Sequence, residues 1–292
     1  MTVKRFFICL IYFVAAVGVF GVLRFPHQAA ARKITIAAQN MFPGISITMD
    51  RVSLCFPPGL NMENTAVHLK NILTLEPKNV RVYFPVSALL GLKNDLDFSG
   101  SLLKGDVNGH ITDISLSENA YSGLQMAVTG LQVRNLDLAM QGMAAQVSFD
   151  LSGRYHVPDL QDNSAGEGGL AMSGVTCTIK DAFLNTMGIT TLDFNKITLA
   201  FTRDDKQIII SKLLAKGDII KVAAAGRLVF AGGSPTDPAN WQVDLTGSLH
   251  PQPAYVSKFA GILSMENLFK TNPEKGIPFT ITGPAATLEI QL

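Results

Sequence analysis

Seven residues, Val243-Asp244-Leu245-Thr246-Gly247-Ser248-Leu249, limit what this chain can fold into. Apolar residues alternate with Asp, Thr and Ser, and a glycine takes one apolar position. Period-two alternation belongs to a strand with one covered and one wet face. Two close copies occur: Leu96-Asp97-Phe98-Ser99-Gly100-Ser101-Leu102 and Phe149-Asp150-Leu151-Ser152-Gly153-Arg154-Tyr155. Looser copies are Met126–Leu131, Val222–Leu228 and Phe279–Gly283. A glycine inside a strand marks a bend, a bulge or a close approach. Repeated, it predicts a long sheet that keeps curving. The copies are irregularly spaced, so they are a recurrent strand type and not a strict repeat array.

Composition agrees with a chain rich in apolar strand faces. Charged residues are 16% of 292 and the net charge is +1, against roughly 25% charged in an average soluble domain. The near-neutral balance gives no electrostatic case for a nucleic-acid partner, which would call for a basic patch or stripe. Three cysteines are too few for a disulfide scaffold.

The N-terminus carries Lys4 and Arg5, then runs from Phe6 to Leu23 without a charge, and Arg24 and Pro26 close it. As a helix, that run rises about 27 Å, enough to cross most of a bilayer core of roughly 30 Å. The run is longer than the apolar core of most signal peptides. Ala29-Ala30-Ala31 offers a small-residue cleavage site, but it lies well past the end of the run. The expectation is an uncleaved anchor over residues 1–24, a membrane-proximal helix and linker over 25–44, and a β-rich domain over 45–292 outside the cytoplasmic membrane. In that compartment Cys55 and Cys177 either pair or stay free, and no motif around them decides it.

Gln28 to Met41 reads as an amphipathic helix stopped by Pro43-Gly44. Ile45 to Met49 alternates as a first strand, and Leu60 to Leu69 reads as a second. Lys78 to Phe84 alternates again, and Pro85 to Leu92 suits a short helix. A turn is expected at Lys104-Gly105-Asp106. Further strands are expected over 111–117, 123–130, 131–140 and 144–156. Pro158 to Gly169 is the most loop-like segment, followed by a strand over 170–180 and a short helix or loop over 181–188. Thr191–Phe201 and Gln207–Ile210 flank Arg203-Asp204-Asp205-Lys206 as a hairpin. A strand over 219–230 precedes a loop over 232–240. Pro253 to Lys270 has apolar residues at helical spacing, which suits a helix covering one end of the sheet. The chain ends in strands over 277–292.

Motifs that would carry chemistry are missing. The five histidines are scattered, and none has zinc-ligand spacing. There is no Gly-x-Ser-x-Gly elbow and no phosphate-cradling Gly-x-x-x-x-Gly-Lys-Ser/Thr. Gly166-Glu167-Gly168-Gly169 lacks the Lys-Ser/Thr that would make it such a loop. Asp204-Asp205 reads as a solvated turn. The expectation is a protein without catalytic residues, cofactor or metal.

Many strands with one apolar face each, and few helices to cover them, leave two arrangements. Either the sheet folds over into a sandwich whose core is that face, or it stays open as an apolar groove. A large exposed apolar surface normally marks a binding site, and a groove tethered to a membrane suits lipid acyl chains. Leu96, Phe98, Phe149, Leu151, Val243, Leu245 and Leu249, the apolar residues of the clearest copies, are expected to line core or groove.

The order of features resembles a known family. It runs from an N-terminal anchor through Pro43-Gly44-Ile45-Ser46-Ile47, Gly59-Leu60, Val80-Arg81-Val82 and Leu89-Leu90-Gly91 to Leu103-Lys104-Gly105-Asp106-Val107-Asn108-Gly109. Glycine-ended strands and a late helix follow, and the chain closes on Phe279-Thr280-Ile281-Thr282-Gly283-Pro284-Ala285-Ala286. This resembles protein N of the type II secretion system, which is similar to the broader AsmA-like group. The resemblance implies a mainly β protein with a long curved antiparallel sheet, an N-terminal transmembrane helix and one or two short covering helices. It implies a single-pass protein of the bacterial inner membrane, its bulk periplasmic, assisting protein secretion alongside other secretion-system subunits. The AsmA-like kinship implies instead an envelope protein that binds or shuttles membrane lipids. The family pattern assigns no functional residues that carry over.

Overall fold

A computed structural model describes residues 24–41, 45–56, 58–69, 73–85, 95–114, 122–140, 143–158, 166–179, 190–204, 206–230, 241–252, 276–285 and 287–291. These form two units, one up to Gly100 with Ile114, the other Ser101–Asp113 and from Ser122 on. The Phe6–Leu23 run, the helices expected over 85–92 and 253–270, and the segments 181–188 and 232–240 lie wholly or almost wholly outside the described residues. Among the described residues no helix is long and apolar enough to cross a membrane.

The first unit begins with α1 (His27–Met41). Pro26 fits a helix entry and the Ala29–Ala31 run favours helix. Its first residue is pinned to the sheet, for the His27 Nδ1 lies 2.6 Å from the Val52 carbonyl oxygen. Val52 is fully buried. Strands β1 (Ile45–Thr48), β4 (Ala66–Leu69) and β5 (Leu73–Leu75) form a small sheet in the order β1-β4-β5. Strands β2 (Arg51–Cys55), β3 (Gly59–Glu63), β6 (Lys78–Tyr83) and β7 (Leu96–Leu102) lie in the order β7-β6-β3-β2.

The strand expected over 60–69 is therefore two strands in two sheets. Asn64 breaks it with φ of 50°, a conformation that Asn tolerates better than most residues. Its side-chain amide donates to Asp50 Oδ2 at 2.9 Å, tying this turn to the one before β2. Cys55 ends β2, and no disulfide joins it to Cys177.

The second unit holds β8 (Gly105–Thr112), β9 (Gly123–Met140), β10 (Met143–Val157), β11 (Gly166–Ile179) and β12 (Thr191–Arg203). It continues with β13 (Gln207–Gly217), β14 (Ile220–Phe230), β15 (Trp241–Pro251), β16 (Ile277–Pro284) and β17 (Glu289–Gln291). Each strand pairs antiparallel with the next in sequence, so the order in the sheet is the order in the chain. A long antiparallel meander of this kind needs only hairpin connections.

Among the boundaries that differ from the sequence reading, three have a plain local reason. The strands expected over 123–130 and 131–140 are one strand, β9. Gly130, at φ of 64°, sits in a bulge opposite Ser152, whose hydroxyl accepts its N–H at 2.9 Å. The ladder kinks there without ending, as glycine-containing bulges allow. Residues 166–169, read as loop, begin β11: Gly168 and Gly169 pair with Phe201 and Ala200. The turn expected at Lys104-Gly105-Asp106 is Leu103-Lys104, with φ of 49° and 64°. Gly105 is needed in the strand, since a Cβ there would stand 2.5 Å from the backbone of Gly130 and Leu131.

The hairpin expected around 203–206 is present between β12 and β13. Asp204 Oδ1 accepts the N–H groups of Lys206 and Gln207, both at 2.8 Å, and Oδ2 accepts the Gln207 side-chain amide at 3.1 Å. The Lys206 N–H bond foremost, then the Gln207 side chain, holds this carboxyl below the usual carboxylate range.

Candidate functional site

Residues directly opposite one another in a ladder share a face. Applied across the second unit, the register collects most of its large apolar residues on one side. Leu151 stands between Leu131 and Met172. Leu199 stands between Leu170 and Leu213, and Ile197 between Met172 and Ala215. Farther on, Val243, Leu245 and Leu249 of β15 stand opposite Leu228, Gly226 and Val222 of β14, and opposite Gly283, Ile281 and Ile277 of β16. Phe149 joins this face opposite Val133.

Five of the seven residues singled out by sequence thus share one surface of the second unit. Leu96 and Phe98 lie on the part of β7 that belongs to the first unit, half-buried on the side where Gly100 faces Val80.

The glycines of the recurrent phrase divide between the roles expected of them: Gly130 makes a bulge, and Gly247 makes a close approach. At Gly247 the pairing with β14 and β16 runs straight through, with no register shift. The Phe279 ring occupies the space instead: a Cβ on Gly247 would stand 2.6 Å from its Cζ. Gly168 does the same between Tyr155 and Phe201, whose rings stack across it with centroids 6.1 Å apart and planes 16° apart. A Cβ at Gly168 would stand 2.4 Å from the Phe201 ring. Sequence missed these pairs because ring and glycine belong to different strands, and only the register brings them together.

The face is unevenly covered. Leu131, Val157, Val175, Ile210, Ala215, Phe230, Val243, Ile277 and Phe279 are buried. Leu151, Leu170, Met172, Ile197, Leu199, Leu245 and Leu249, between them, are only half-buried. Phe230 and Trp241 close one end, with ring centroids 5.3 Å apart.

The opposite face is polar. Arg227 and Asp244 stand directly opposite one another and form an exposed ion pair at 3.2 Å. Arg134 pairs with Asp150. Among the described residues no three His, Cys, Asp or Glu side chains converge as a metal site. Ser248 Oγ and His250 Nε2 are 2.9 Å apart on this side, but no carboxylate among the described residues orients the ring as a nucleophile–base pair requires. What the arrangement offers chemically is two surfaces of opposite character on one sheet. Compared with family models, curated proteins and solved structures, the chain matches none.

Proposed function

We propose that the second unit is an open, curved apolar surface that holds the acyl chains of envelope lipids and works by binding, without catalysis. The observation that supports this is the incomplete burial of Leu151, Leu170, Ile197 and Leu199 in the middle of the sheet. A folded-over sandwich would bury such residues as its core. Each methylene removed from water contributes about 0.8 kcal/mol, so an acyl chain along this face would gain enough to offset its loss of freedom. The polar reverse face would keep the sheet compatible with water. The sequence resemblance to AsmA-like proteins points the same way.

The test is native mass spectrometry of the full chain purified in mild detergent. Phospholipid should accompany the wild type, and Leu199→Asp should reduce it while circular dichroism stays unchanged. A lipid-free wild type would sink the reading.

A second reading, an accessory role in type II secretion, draws on the closing motif. Phe279–Gly283 lies within β16, Gly283 has φ of 109°, and the turn after it is tied back by the Ala285 N–H to the Trp241 carbonyl at 2.8 Å. A single-pass inner-membrane location with secretion-system subunits as partners belongs to this reading. Chemical cross-linking in cells should then recover such subunits. Recovery of none of them would remove it.

A further inference from the structure

The polar face of the second unit does not treat its basic residues alike. Arg227 and Arg134 each have a carboxylate across the ladder. Lys196, Lys216, Lys221 and His250 do not. They stand directly opposite one another on four successive strands: Lys196 faces Lys216, Lys216 faces Lys221, and Lys221 faces His250. At about 4.8 Å per strand the row extends about 14 Å. The three lysines are exposed and form no ion pair among the described residues. Lys212, two steps along β13 on the same side, is also exposed.

Like charges directly opposite one another destabilise a sheet, and no carboxylate among the described residues pairs with this row. Among the described residues, two acids stand at the strand ends beyond it. Asp218 accepts the Asn195 side-chain amide at 3.1 Å, and Asp193 lies on β12 past the bulge. Asp150, in the same row two strands away across Ser173, is taken by Arg134. The next row inward, Thr198, Leu214, Ala223 and Ser248, carries no charge and is mostly small. The lysines therefore project from a low, uncharged surface, which suits a broad, flat anionic partner better than a grooved one.

We propose that the row of Lys196, Lys216, Lys221 and His250, reinforced by Lys212, is where this unit rests on the phosphate headgroups of an anionic bilayer. The attraction is that of a polybasic segment for an anionic leaflet, lost at high ionic strength. Its use in the cell rests on the membrane-tethered reading above. It is independent of the apolar face, which lies on the other side of the sheet.

The test reconstitutes the full chain into vesicles of phosphatidylcholine, alone or mixed with phosphatidylglycerol. An uncharged acetylating reagent then modifies the lysines, and mass spectrometry follows each one. Lys196, Lys216 and Lys221 should react severalfold more slowly in the phosphatidylglycerol vesicles at low salt and recover at high salt. Lys104 and Lys206, away from the row, should react equally in both. Equal reactivity of the row in both vesicle types would overturn the proposal. Flotation with pure phosphatidylcholine vesicles reports the tether separately. A chain that does not float there is instead mixed with preformed vesicles. Binding to phosphatidylglycerol vesicles, reduced severalfold in the folded triple variant Lys196→Gln, Lys216→Gln, Lys221→Gln, supports the row, and no binding overturns it.

Discussion

The pairing of Gly247 with Phe279 makes a sharp prediction at the scale of single residues. A valine at position 247 would place its Cβ 2.3 Å from the Ala223 carbonyl oxygen and 2.6 Å from the Phe279 ring. Gly247→Val should therefore destabilise the second unit by about 1–3 kcal/mol, the usual cost of overpacking. Calorimetry should also show coupling. Phe279→Ala alone loses a buried ring, but in the Gly247→Val background it should cost less, because half the clash has gone. Strict additivity would show that the ring does not depend on the gap. Asp204 is the second case. Its carboxyl is held below the usual range, chiefly by the Lys206 N–H. A depressed folded value means that its contribution is complete above the unfolded value and disappears as pH falls through the folded one. Asp204→Ala should thus lower the melting temperature modestly at neutral pH, and its difference from wild type should close below about pH 4.

Among the elements, the Leu103-Lys104 turn stands out, since two residues that disfavour positive φ occupy both central positions of a two-residue hairpin. Asn-Gly is the pair such turns prefer. The double substitution Leu103→Asn, Lys104→Gly should raise stability by about 1 kcal/mol in urea titration, since both positions are exposed and no side-chain bond to another described residue is lost. An unchanged midpoint would mean that the turn is held open by the Gln132 N–H bond to the Leu103 carbonyl, 2.9 Å long. This turn also shows where a sequence stops being informative. Alternation is a local signal, so strands such as β7, β12 and β15 are legible from their own residues. Whether Gly105 belongs to the turn or the strand depends on the approach of β9, which its neighbours in sequence do not encode. The same holds for Asn64, whose break in the 60–69 alternation depends on Asp50.

For the whole molecule, the legible part was the excess of one-sided strands, which led to a long antiparallel sheet and to five residues that do share a face. The register was not legible, and with it went the glycine slots and the lysine row. Lys196, Lys216 and Lys221 look unrelated along the chain and become neighbours only when β12, β13 and β14 pair. If the apolar face holds lipid, occupancy stabilises the folded state by mass action. The melting temperature of lipid-loaded protein should then exceed that of delipidated protein, and added phospholipid should restore it. Indifference to lipid would weigh against the binding role.

The glycine slots have one more consequence. A ring that fits only where a neighbouring strand offers a gap is a key with one lock. If β16 slid by one residue along β15, Phe279 would meet Thr246 or Ser248 instead of Gly247, and it would change faces. Tyr155 and Phe201 set the same condition on β11 from both sides. An amphipathic meander built from near-identical phrases is exposed to misalignment, because each phrase could pair out of step with its copy. In such a chain, glycines and rings act as alignment marks, placed where the repetition would otherwise make the pairing ambiguous.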